Sequence, residues 1–161
     1  MTNTEKARQE IITAQACLGA ALEYLDAPDV QEPAPGLEPG YLSPHFKEAE
    51  FTCNHCNSLE GHEIPEELLA MLEDVRAHFG GAPVTINSGY RCRTHNTNVG
   101  SSEGSWHRYH TQGEGAADIV VSGVSPSAVH KYLCDKYPDR CGIGRYSSFT
   151  HLDNDHDKRR W

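Results

Sequence analysis

The chain predicts a small α+β domain with a mostly antiparallel sheet, preceded by a helix that is either an appendage or an extra core element packed back on the domain. Two stretches carry apolar residues at helical spacing. Four short runs have β-strand character, and the last two form a hairpin. The resulting order of helix, strand, loop, strand, helix, strand, strand is that of an α+β domain. At 161 residues there is room for one such domain plus an appendage, with enough core to fold without covalent staples.

Residues 4–26 read as a first helix, with Thr4 able to cap it and Ile11, Leu18, Leu22 and Leu25 near one face. Pro28, Pro33, Pro35 and Pro39 block regular structure after it, so residues 1–40 divide into a helix and a proline-rich linker. The folded domain is expected over 41–161. Ile64, Leu68, Leu72, Val75 and Phe79 form a helical stripe, with Pro65 in its first turn and Gly80-Gly81 at its end. Residues 84–87 form a strand that Ser88-Gly89 turns out of, and 118–121 form a second. Ser125-Pro126 starts a helix through Tyr137 with Val129 and Leu133 inward, and 142–146 with 149–153 form the hairpin.

The formal charge of -9 argues against binding nucleic acid through a basic surface. It also argues against simple electrostatic adhesion to an anionic envelope. No apolar stretch reaches the roughly 18 residues of a membrane span, and the polar first ten residues lack a signal-peptide core. A monomer that is cytoplasmic as synthesised is expected. Six cysteines are then expected to be reduced. Cys53-Asn54-His55-Cys56 has the spacing of half a zinc knuckle, but no second CxxC follows. Packed thiols are the plainer reading of that pair, and a structural metal the other.

The chemistry concentrates in two segments. Residues 109–118 offer His110 and Asp118 eight positions apart, and 147–153 offer His151 next to Asp153. Two imidazoles and one carboxylate hold zinc while leaving a fourth position for water, the pattern of metal-assisted hydrolysis. Both segments lie at strands or strand edges, where the backbone is stiff.

Leu42-Ser43-Pro44-His45-Phe46, Glu50-Phe51-Thr52-Cys53, Ser88-Gly89-Tyr90-Arg91 with Asn96 and Val99-Gly100, His110 to Asp118, Gly142 to Tyr146, Phe149 to Asp153 and the closing Arg159-Arg160-Trp161 follow in that order. Together they resemble the zinc D-alanyl-D-alanine carboxypeptidase family, in its small phage and bacterial branch of peptidoglycan peptidases, over residues 41–161. The resemblance implies the α+β zinc fold shared with lysostaphin-type peptidases and the hedgehog signalling domain. It also implies one catalytic Zn2+ and a peptidoglycan peptide as substrate. Carried over, the ligands are His110, Asp118 and His151. The family interval from histidine to aspartate is seven and here it is eight, with Gly115 read as an insertion. His107 competes, because Ser105-Trp106-His107 also copies the Ser-x-His start of the motif. It would need a four-residue insertion and is the alternative ligand or a neighbour of the site.

Arg91 resembles the family arginine that faces substrate, with a donor fork suited to a carboxylate or a developing oxyanion. Ser88 and Tyr90 would line the same edge, although turn chemistry accounts for them almost as well. Relatives place an acid three residues before the second histidine ligand, where this chain has Ser148. Strand alternation puts Asp153 on the face of His151. It could therefore serve as general base, or orient a ligand imidazole through its free ring nitrogen. The terminal Arg-Trp pattern implies a tail packed on the domain for structural reasons. The resemblance leaves two functions open. One is a peptidase that reaches the wall after holin release or within a virion; the other is a non-catalytic zinc-binding module on the same fold.

Overall fold

The computed structural model of the chain describes residues 36–109 and 113–161. The helix expected over 4–26 and the linker up to residue 35 lie outside the described residues, as does His110. Residues Leu37–Trp161 make one folded unit.

The helical stripe becomes α1 (Glu66–His78), which buries Leu68, Leu69, Met71, Leu72 and Val75. It stops where Gly80 and Gly81 take left-handed backbone angles, and their amides return to the carbonyls of Ala77 and Arg76. Strand β1 (Val84–Ser88) follows, then a short helix α2 (Arg93–Asn98) capped by the Cys92 side chain. A single 3-10 turn at Trp106–Arg108 precedes β2 (Ala116–Val121). Helix α3 (Pro126–Lys136) starts from Ser125, whose side chain accepts from the Ala128 amide. The hairpin β3 (Gly142–Arg145) and β4 (Thr150–Asp153) comes next, and the tail adds β5 (Arg159–Arg160).

The strands lie in the order β1-β2-β4-β3-β5. Every pairing is antiparallel except β3 with β5. This is the expected α+β architecture, with α2 and β5 as additions.

Register divides the sheet into two chemical faces. On one face Leu152 lies opposite Ala117 and Ile143, and together with Ile119 and Val121 they join α1 and α3 in the hydrophobic core. On the other face Asp118 lies opposite His151, and His151 opposite Gly144. Since side chains alternate along a strand, Asp153 shares this second face. The apolar face holds the sheet, and the polar face is free to build a site.

Candidate metal centre

Asp118 and His151 are brought together by register alone, as directly opposed residues of β2 and β4. Their third partner is His107, carried in by the 3-10 turn Trp106–Arg108. All three are buried. Asp118 Oδ1 lies 2.9 Å from His151 Nδ1 and 3.2 Å from His107 Nε2, and the two ring nitrogens are 3.2 Å apart.

The outer nitrogen of each ring is already engaged. His107 Nδ1 donates to the Gly89 carbonyl at 2.7 Å, and His151 Nε2 faces Asp153 Oδ2 at 3.4 Å. With its proton directed outward, each neutral imidazole turns a lone pair toward the Asp118 oxygen. Three acceptors facing one another require a cation between them. Tetrahedral zinc, with bonds of about 2.0–2.1 Å, would separate such donors by about 3.3 Å. The triangle fits that ion.

A proton is the competing cation. Burial lowers the affinity of both imidazoles for it. For His107 burial wins, whereas for His151 hydrogen bonds to Asp118 and Asp153 outweigh burial and raise its pKa. Burial would raise Asp118 too, but its contacts with both imidazoles hold its carboxyl well below the usual carboxylate range. The site therefore keeps a full carboxylate charge at its centre.

The triad borders a cavity of about 470 Å³. Arg91 lines it and donates through Nη2 to Asp118 Oδ2, while its Nε donates to Ser88 Oγ at 2.8 Å. Ser88 thus aims Arg91 and does not itself line the cavity. Tyr90 is a correction. It is 1% exposed, its ring packs on His62 and Tyr109, and its hydroxyl donates to Glu60. The turn after β1 sends it into the core while its neighbour Arg91 faces the site.

Asp153 is held on every side. Its Oδ2 accepts from Arg159 at 2.8 Å besides meeting His151, and its Oδ1 accepts from the amides of Gly142 at 2.5 Å and Asp155 at 3.2 Å. Of the two roles open to it from sequence, these surroundings match the orienting one. The carboxylate sits where Gly142 has no side chain; a Cβ there would come within 2.2 Å of Asp153 Oδ2.

The tail reaches the cavity. Trp161 lies over Gly144, where a Cβ would come within 2.4 Å of the indole, and its ring centroid is 5.2 Å from that of His151. With Tyr146, Phe149 and Trp106 it gives the cavity an aromatic wall, and Arg159 adds a second guanidinium. Pairing of β5 with β3 carries Trp161 and Arg159 there, a tertiary contact that leaves no local pattern in the sequence.

A buried N,N,O donor set opening on a cavity, held by outer partners and flanked by an arginine, makes a candidate mononuclear metal centre. The family profile of peptidase M15 matches residues 44–153, and the chain belongs to this family of zinc enzymes. No curated protein matches the chain in sequence. Among the described residues, no helix is long and apolar enough to cross a membrane.

Proposed function

We propose that this chain is a zinc peptidase that hydrolyses peptide bonds in peptidoglycan stem peptides or cross-bridges, with His107, Asp118 and His151 as the metal ligands. The observation that carries the reading is the triangle of acceptor atoms 2.9–3.2 Å apart at the edge of a cavity. Zinc held there would supply Lewis acidity to polarise a scissile carbonyl and acidify water.

The protein's own groups do the rest. The Gly89 carbonyl and Asp153 fix the tautomers of the two imidazoles, so that both present lone pairs inward. Arg91 neutralises the outer oxygen of Asp118 and brings positive charge to the cavity, where negative charge develops on the substrate oxygen. In a chain of net charge -9, the placing of Arg91 and Arg159 together at one cavity suits a peptide carboxylate. The aromatic wall of Trp161, Tyr146 and Phe149 offers flat apolar surface to the stem peptide. Such an enzyme would meet its substrate after holin release or as part of a virion.

The test is release of soluble muropeptides from purified peptidoglycan, before and after zinc removal and restoration, in the wild type and His151→Ala. Release that depends on zinc and vanishes in the variant supports the proposal, and release that survives both sinks it. One observation favours the second reading, a non-catalytic zinc module. Among the described cavity residues, Asp153 is the only carboxylate outside the ligand set, and four groups already occupy it. Zinc bound tightly with no hydrolysis of any stem peptide would establish that reading instead.

A further inference from the structure

A second cluster of metal-binding side chains lies apart from the triad. The Sγ atoms of Cys53, Cys56 and Cys92 all fall within 4.8 Å of one another. His95 Nδ1 is 3.2 Å from Cys53 Sγ. In sequence these are Cys53-x-x-Cys56 and Cys92-x-x-His95, two ligand pairs of equal spacing from distant parts of the chain. Cys53 and Cys56 lie on the loop after the 3-10 turn Glu48–Phe51, while Cys92 caps α2 and His95 lies in its first turn.

The geometry points to a structural zinc site formed by Cys53, Cys56, Cys92 and His95. Tetrahedral zinc with Zn–S near 2.3 Å and Zn–N near 2.0 Å would set sulfur atoms about 3.8 Å apart and a nitrogen about 3.6 Å from each sulfur. The three sulfur atoms lie within 4.8 Å of one another and His95 Nδ1 is 3.2 Å from one of them, Cys53 Sγ, while His55 Nδ1, 3.6 Å from Cys92 Sγ, is the rival nitrogen. Backbone amides are already turned to the thiols: those of Cys92 and His55 approach Cys53 Sγ at 3.3 and 3.4 Å, and that of His95 approaches Cys92 Sγ at 3.4 Å. N–H donors directed at sulfur favour the thiolate, the form that binds metal. A disulfide would use two of the three thiols and leave the third with the histidine; a metal uses all four groups.

The site has a definite mechanical place. It joins the 53–56 loop to the segment Ser88–Cys92, which also carries Arg91 and the Gly89 carbonyl that holds His107. With four protein ligands it is closed, so it would brace the catalytic edge without taking part in hydrolysis.

The experiment is metal analysis of the full chain, purified under reducing conditions and loaded with zinc, paired with cobalt substitution. About two metal equivalents per chain are expected, one for each donor set. Cobalt should give a thiolate-to-metal charge-transfer band that His151→Ala leaves intact, although that variant loses one equivalent. Cys92→Ser and His95→Ala should each lose the other equivalent, and Cys92→Ser should weaken the band. His55→Ala should keep both. A single equivalent in the wild type with no thiolate band would overturn the proposal, and so would a disulfide among these cysteines in the metal-free protein. Because the cobalt spectrum is read on the wild type, a cysteine variant that fails to fold does not decide the matter. Loss of the second equivalent in His55→Ala would overturn the choice of His95.

Discussion

The two donor clusters both draw on the same five residues, Ser88–Cys92, and are built on opposite chemical lines. One is rigid, buried and mixed in character, with two imidazoles and a carboxylate on a sheet face and a cavity over them. The other is rich in sulfur and assembled from a loop and a helix start, with three thiols and, as proposed, His95 as a fourth ligand. An open N,N,O set keeps zinc strongly acidic toward a substrate, whereas a closed S,S,S,N set spends the metal's coordination on holding chain segments together. The same ion would do chemistry in one place and architecture in the other. Arginines and aromatic rings line the cavity at the first.

This contrast can be broken from either side. Among changes that leave the three ligands in place, the largest effect is expected for Arg91→Ala, which takes positive charge from the cavity and leaves the outer oxygen of Asp118 without its partner. The fall in kcat/KM on a stem-peptide substrate should be about 100- to 1,000-fold. Arg91→Lys should restore little of it, because an ammonium cannot bond Ser88 and Asp118 together as the guanidinium fork does. Asp153→Asn should cost roughly 10- to 100-fold in zinc affinity or activity, as loss of an imidazole-orienting partner does. Its pH–rate profile should keep the wild-type shape, and disappearance of one limb would make Asp153 the general base instead.

On the closed side, Cys56→Ser should lower the melting temperature and reduce kcat several-fold at most, with KM little changed. A collapse of kcat as deep as that of Arg91→Ala would contradict a purely bracing role. The smallest effect concerns neither site. Glu73 on α1 accepts from Ser43 Oγ at 2.7 Å and from the His45 amide at 2.9 Å. Burial raises its pKa, but these bonds and the His45 ring outweigh burial and lower it. The stabilisation is therefore complete above the ordinary carboxylate range and fades as pH falls through the lowered value. Glu73→Gln should cost under about 1 kcal/mol near neutral pH, and nothing once the wild-type carboxylate is protonated; melting curves at the two pH values check it.

Periodicity and turn residues made most of the fold legible. Apolar spacing found α1 and α3, Gly80-Gly81 found the end of α1, and the β-type runs found four strands to within two residues at either end. Helix α2 escaped because Arg93–Asn98 has no apolar stripe. Its order comes from the Cys92 cap and from buried Asn96, whose Nδ2 donates to the Ser101 and Ser102 carbonyls. Strand β5 is two residues long, and nothing local marks it.

At the site, Asp118 and His151 were readable because each sits in a strand with a recognisable frame. The histidine between Ser105 and Asp118 was harder. Counting spacing preferred His110, which lies outside the described residues, while the fold places His107 at the triangle. Interval length points to His110, and the Ser-x-His start at Ser105-Trp106-His107 points to His107. The second cluster was missed for a similar reason. In Cys92-x-x-His95 a histidine stands where a second CxxC would have its last cysteine, so the pair carries no CxxC signature.

The most direct test sets His107→Ala beside His110→Ala, measuring muropeptide release and bound zinc on the same preparations. His107→Ala is expected to release no muropeptides and to lose one zinc equivalent while its cobalt thiolate band persists, and His110→Ala to stay close to wild type in all three. Wild-type release by His107→Ala, or loss of zinc and activity in His110→Ala instead, would contradict that expectation.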